Sequence, residues 1–294
     1  MTANDTLTLL ACQISIPPMT TTAERDAHLA MSVAKVRAEV ESTKKSVDLV
    51  VLPELSSIDY SRDTFALLNE IAEPLDGASF QVWRRVAMDL GVFVSYGFAR
   101  SGQGGPFISM EVVGPDGTLV GFYDKLHLAQ YGASMEKEYF NRGDHLLVFE
   151  VNGFRLSPII CYDIRIPELS RALVVDHNVD VILHCGAYYR DESFHTWHPF
   201  AITRALENQV FFLSLNRAGD TYGNSLFCLP WQDENTQPVA FPETDEAFRI
   251  ITIERETLNA ARHDYTFLKD RLEHYNISVQ MPMDLEAADK RKPE

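Results

Sequence analysis

Apolar positions along this chain fall into two alternating patterns. Short runs dominated by apolar residues occur at "TLTLLACQI" (6–14), "DLVVLPE" (48–54), all-apolar between its two acids, and "VFVSYGFA" (92–99). Such runs predict strands, and the lack of alternation predicts burial on both faces. Between them, residues 24–43 place Leu29, Val33, Val36 and Val40 on one helical face, and Phe80, Trp83, Val86 and Leu90 do the same further on. Residues 107–125 read as two strands around Pro115-Asp116-Gly117, a hairpin signal. The second half repeats the pattern. It predicts strands at "FRLSPII", 179–184, 209–216 and 248–254, with helices over 166–176 and 195–207.

Two α/β halves, each carrying hairpin strands, predict two sheets packed face to face with helices outside. No repeat or low-complexity linker separates them, so one domain is expected over residues 1–275. The tail, 276–294, ends "EAADKRKPE" and is expected to be extended or disordered at its end.

Composition narrows the function. Of 294 residues, 46% are hydrophobic and 23% charged, enough for a sizeable core. The net charge of −16 repels phosphate backbones and anionic membranes, so neither nucleic acid nor a lipid surface is an expected partner. The first ten residues carry no Lys or Arg, and no apolar run approaches the ~18 residues of a bilayer span, so neither a secretory signal nor a membrane helix is expected. Cysteines 12, 161, 185 and 228 form no C-x-x-C pair, which fits a reduced, cytoplasmic compartment.

Three polar residues share one awkward placement. Glu54 ends "DLVVLPE", Lys125 ends "TLVGFYDK", and Cys161 follows "SPII". Strand ends are where ligands gather in α/β sheets, so the three are expected to meet in one crevice. Together they suit nucleophilic catalysis. A thiolate attacks, a lysine supplies the positive charge that favours it, and a buried carboxylate takes and returns a proton. No histidine is then required.

These segments carry a resemblance. "VVLPEL", "YDKLHL", "EKEYFNRGD" (136–144), "IICYDIRIPELSRAL" and "TRALENQVFFLSLNRAG" (203–219), in that order, are similar to motifs of the nitrilase superfamily, the carbon–nitrogen hydrolases. The resemblance implies a four-layer α-β-β-α sandwich and a Glu-Lys-Cys triad of Glu54, Lys125 and Cys161, working without metal or cofactor. It also implies a supporting Glu136, an oxyanion donor in the Tyr162 backbone N–H, and assembly at least to a homodimer. Substrate-contacting loops of the family lie at "CGAYYRDESFHTWH" (185–198), which makes Tyr188 and Arg190 the expected specificity residues.

"Cys-Tyr-Asp" resembles the amidase branches, whereas the 136–144 loop is similar to that of N-carbamoyl amidohydrolases. Small linear amides and N-carbamoyl compounds therefore both stand as substrate classes, and a non-catalytic scaffold of the same fold is the non-enzyme alternative. Asp59 and Arg142 depart from the family pattern, where glycine and proline are common, and are expected to shape the pocket mouth. Arg165, Glu168 and the Arg204, Glu207, Asn208 group read as structural, at helix-start and i, i+3/i+4 spacings. His195 and His198 lack the further ligands that a metal site needs.

Overall fold

A computed structural model describes residues 5–279. Five strands build most of a first sheet: β1 (Thr6–Gln13), β2 (Leu49–Val51), β3 (Phe93–Gly102), β4 (Gly105–Val113) and β5 (Leu119–Asp124). A second sheet holds β6 (Phe149–Val151), β7 (Phe154–Ile160), β8 (Val181–Cys185), β9 (Phe211–Leu215), β10 (Leu226–Cys228) and β11 (Val239–Ala240). The last strand, β12 (Ala247–Glu254), returns to the first sheet and pairs antiparallel with β1. The orders are β12-β1-β2-β3-β4-β5 and β11-β10-β9-β8-β7-β6. Helices α1 (Thr22–Ser42), α2 (Arg62–Phe65), α3 (Leu68–Ile71) and α4 (Ala78–Leu90) belong to the first half. Helices α5 (Pro167–Val175), α6 (Trp197–Asn208), α7 (Arg255–Asp264) and α8 (Phe267–Asp270) belong to the second.

Strand β1 shows why the apolar runs do not alternate. Leu7, Leu9 and Ala11 face the core between the sheets, while Leu10 and Cys12 face a second core shared with Val36 of α1 and with Trp83 and Val86 of α4. Leu173 of α5 and Ala201 and Ala205 of α6 close the central core from the other side. The order of layers is therefore helices, sheet, sheet, helices, a four-layer α-β-β-α sandwich. Each large side chain buried in these cores contributes about 1.5–3 kcal/mol.

Helix α1 starts two residues earlier than the periodicity predicts. A reciprocal cap causes this: the Glu24 N–H donates to Thr21 Oγ1 (3.2 Å) and the Thr21 N–H to Glu24 Oε2 (3.1 Å). Its buried face is also more polar than expected. Arg25 and His28 are buried beside Leu29 and Val36, because Arg25 donates to the Ile71 carbonyl and His28 Nε2 meets the Ser56 carbonyl. Strands β6, β10 and β11 and helices α7 and α8 escape sequence patterning. The strands are two or three residues long, and α7 buries only Leu258 and Ala261. Residues 276–279 carry no regular structure, and the rest of the expected tail lies outside the described residues. Among the described residues no helix is long and apolar enough to cross a membrane.

One buried carboxyl group affects stability without any part in the site. Glu111 on β4 faces Tyr96 on β3, is fully buried, and neither side-chain oxygen has a hydrogen-bond partner among the described residues. Burial raises its pKa from 4.5 to about 8. A carboxyl group whose pKa is raised by folding stabilises fully below its unfolded value and loses that contribution as pH climbs through the folded one. Melting temperature is therefore expected to fall between pH 4.5 and about 8, and Glu111→Gln should flatten that fall. A variant with the wild-type slope would contradict this.

Candidate active site

The crevice is built by chain segments that leave strands. After β2 the chain passes Leu52 and Pro53 to Glu54, with Leu55 in a left-handed conformation (φ 46°). Gly97 of β3 lies directly against this turn, and a side-chain carbon there would overlap the Pro53 carbonyl. Lys125 follows β5 directly. Its N–H donates to the Ile108 carbonyl (2.9 Å) and its carbonyl accepts from Gly143 (3.0 Å), which fixes the backbone from both sides. Cys161 follows β7 directly and is also left-handed (φ 45°). Such strain in a residue other than glycine costs roughly 1–3 kcal/mol and persists only where neighbours enforce it.

Those neighbours are identifiable. The Cys161 carbonyl accepts from His184 Nε2 and from the Tyr188 hydroxyl, both at 3.0 Å. Burial lowers the His184 pKa to about 4, so the ring is neutral. With Nε2 carrying the proton, Nδ1 accepts from the Ser214 hydroxyl (2.7 Å), whose oxygen takes the Trp197 Nε1–H (2.7 Å). Each polar hydrogen in this chain has an acceptor.

Lysine and carboxylates meet at short range. Lys125 Nζ donates to Glu54 Oε1 (2.8 Å) and to Glu136 Oε1 (2.6 Å), and all three side chains are fully buried. Glu54 Oε2 accepts the Ala187 N–H (2.7 Å) from the loop after β8. Glu136 stands on a single turn at 136–138; its Oε2 accepts the Ala129 N–H (2.8 Å) and its Oε1 the Tyr60 hydroxyl (2.9 Å). Behind Glu54, the Arg217 guanidinium donates to the carbonyls of Leu55 (2.8 Å) and Ile58 (2.5 Å) and lies 3.6 Å from Asp59.

The electrostatics follow from this packing. Burial disfavours the Lys125 ammonium, but Glu136 and Glu54 outweigh it and hold its pKa well above the ordinary value. Burial, with the Glu54 charge added, raises Glu136 despite Lys125. Burial and then Glu54 push the Cys161 thiol far up, with Lys125 opposing. Lys125 acts on the thiol in the expected sense, but burial and Glu54 favour the neutral thiol against it.

Of the three strand-end residues, Glu54 and Lys125 are in direct contact and Cys161 lies within the field of both, while Glu136, implied by the resemblance, is the second carboxylate on Lys125. Tyr162 follows in the turn 161–165, its ring 5.5 Å from that of Tyr131. Tyr188 and Arg190, the expected specificity residues, both make hydrogen bonds to the scaffold. Tyr188 is buried, its hydroxyl committed to the Cys161 carbonyl and its ring stacked on Trp197 (4.7 Å). The Arg190 guanidinium is held by the Tyr222 and Glu243 carbonyls and by Glu243 Oε1, joining two loops. Of the two departures, Asp59 pairs with Arg217 beneath the Glu54 turn, whereas Arg142 is exposed. Arg204 donates to the Ile164 carbonyl and to Glu207, a scaffold contact. Sequence reasoning missed Tyr60, the Ala187 N–H and Arg217, because nothing in their local pattern marks them and only the fold brings them to Glu54 and Glu136.

Comparison with known proteins agrees with this architecture. The family model described as carbon-nitrogen hydrolase matches residues 9–262. An (R)-stereoselective amidase of a Pseudomonas species is 32% identical over 257 residues, covering 85% of this chain and 88% of the relative. A 2-oxoglutaramate amidase of Bacillus subtilis is 31% identical over 208 residues, covering 68% and 77%. In fold, the chain is similar to Saccharomyces cerevisiae Nit3, a member of branch 10 of the nitrilase superfamily, with TM-score 0.77 and 20% identity over 89% of this chain and 95% of that one. With a matching family model over most of its length and amidase relatives above 30% identity, the chain belongs to the carbon-nitrogen hydrolase family.

Proposed function

We propose that this carbon–nitrogen hydrolase is a cysteine amidase that cleaves a small linear amide through a thioester on Cys161. The observation that carries the reading is one ammonium, Lys125, clamped between two fully buried carboxylates beside a buried cysteine. The amidase relatives support the same reaction class.

In this reading, Cys161 Sγ attacks the amide carbonyl carbon while Glu54 takes the thiol proton. That assignment follows from the resting thiol, which needs a base at the moment of attack. A base positioned this way contributes roughly 10²–10⁴-fold. The Lys125 ammonium and the Tyr162 N–H face the developing oxyanion, each such donor worth about 2.7–4 kcal/mol. As the tetrahedral intermediate collapses, the C–N bond breaks and Glu54 returns its proton to the departing nitrogen. Water then attacks the thioester with Glu54 again as base, releasing the acid and the free thiol. Glu136, steadied by Tyr60 and Ala129, holds Lys125 in place. The hydrolase domain is taken as residues 1–275, acting in the cytoplasm as at least a homodimer.

The test is release of ammonia and carbon dioxide from a panel of ω-amides of dicarboxylic acids, short aliphatic amides, and N-carbamoyl amines and amino acids. Ammonia alone is the expected result. Equimolar carbon dioxide would replace the amide reading with a carbamoyl hydrolase. Silence across the panel, with Cys161 inert to alkylation, would favour the non-catalytic scaffold.

A further inference from the structure

Asp163 is fully buried two residues after the cysteine, and its carboxylate is a hub between two segments of the site. Oδ1 accepts the His127 backbone N–H (3.0 Å) and meets His127 Nδ1 (2.8 Å); Oδ2 accepts the Tyr123 hydroxyl (2.7 Å) and the Ile160 N–H (2.9 Å). Tyr123 and His127 stand two residues before and two after Lys125, and Ile160 stands immediately before Cys161. One side chain therefore fastens both flanks of the lysine to the strand that delivers the cysteine. Four donors converge on two oxygens, and charge-assisted bonds of this kind are short and geometrically demanding.

We propose that Asp163 is a positioning residue that sets the separation of Lys125 from Cys161, and so aligns the oxyanion donor with the nucleophile. This rests on the cysteine amidase reading above. The reasoning runs through the backbone. Cys161 holds a left-handed conformation that its own sequence does not favour, and its carbonyl is pinned from the β8 side by His184 and Tyr188. The amide just before it, at Ile160, is pinned by Asp163. Lys125 stands just past the end of β5 with its own backbone held by Ile108 and Gly143, and the bonds at Tyr123 and His127 add the tie from that segment to the cysteine strand. Burial and the adjacent Asp163 carboxylate keep Tyr123 a neutral phenol, and hence a donor. Asp163 touches no reacting atom in this scheme; it acts through Lys125 and Cys161.

The isosteric Asp163→Asn swaps an acceptor for an NH₂ group that opposes the converging donors. It is expected to lower kcat roughly 10²-fold, the scale of an ångström-sized misplacement, with KM nearly unchanged. Tyr123→Phe removes one of the four bonds with little change of shape, and a smaller loss of the same kind is expected. Both variants should also shift the pH profile of Cys161 alkylation upward. Lys125 is what opposes the rise in the thiol's pKa, and a displaced lysine opposes it less. A merely structural role would lower melting temperature and leave kcat and the alkylation profile in place. Folded variants of both kinds with wild-type kcat and alkylation profile would overturn the proposal. Failure of the underlying reading is separate: it shows as turnover that survives Cys161→Ala in the otherwise wild-type chain.

Discussion

Lys125→Met is expected to remove turnover and to destabilise the protein by about 3–5 kcal/mol, the usual consequence of deleting one partner from a buried charge network. The cause is visible in the geometry. Without the ammonium, Glu54 and Glu136 confront each other as fully buried carboxylates, each losing its short contact to Lys125. For a chain of this size the loss corresponds to a drop in Tm on the order of 10 °C. The sign of the pH dependence follows from Glu136. Its pKa is already raised by burial and by Glu54, and loss of Lys125 raises it further. Stability that depends on a protonated Glu136 is present at low pH and lost as pH rises through the folded pKa. The variant should therefore recover stability on acidification more than the wild type does. Adding Glu136→Gln should restore part of the Tm and none of the activity. Thermal melts of the single and double variants check this. A single variant with the wild-type Tm would mean that the carboxylates are not held as described.

Much of this site was legible before any coordinates. Glu54, Lys125 and Cys161 each follow an apolar run, and a charged or nucleophilic residue placed where a buried strand stops is unusual enough to notice. The two sheets could also be anticipated, because β1, β2, β7, β8 and β9 lack alternation and must be covered on both faces. The rest depends on contacts that no local pattern encodes. Tyr188 and Arg190 stand on a loop beside the site, and sequence alone does not say whether such a side chain faces a substrate or its own scaffold. Tyr188 turns to the Cys161 carbonyl and Arg190 to Glu243. The surroundings of Lys125 are hidden for a similar reason. Lys125 is a plausible activator when considered alone, but its partners arrive from residues 71 positions before it and 11 after it. Arg217 and Asp59 lie further apart still, and only the closure of one sheet on the other pairs them.

Cys161→Ala is expected to abolish turnover, with a loss of at least ~10⁴-fold, because it removes the nucleophile that forms the covalent intermediate. Cys185 stays buried after the change, and burial raises its thiol out of reach of ionisation. The fold should survive. The Cys161 side chain contributes little volume, and the backbone conformation there is enforced by His184, Tyr188 and Asp163 rather than by the sulfur. The most direct measurement is intact-mass analysis of the protein quenched during turnover of an amide that the panel identifies, alongside ammonia release, for the wild type and Cys161→Ala. The account predicts an added acyl mass located on Cys161 in the wild type, with neither adduct nor ammonia from the variant. Ammonia released by a folded Cys161→Ala protein would contradict it.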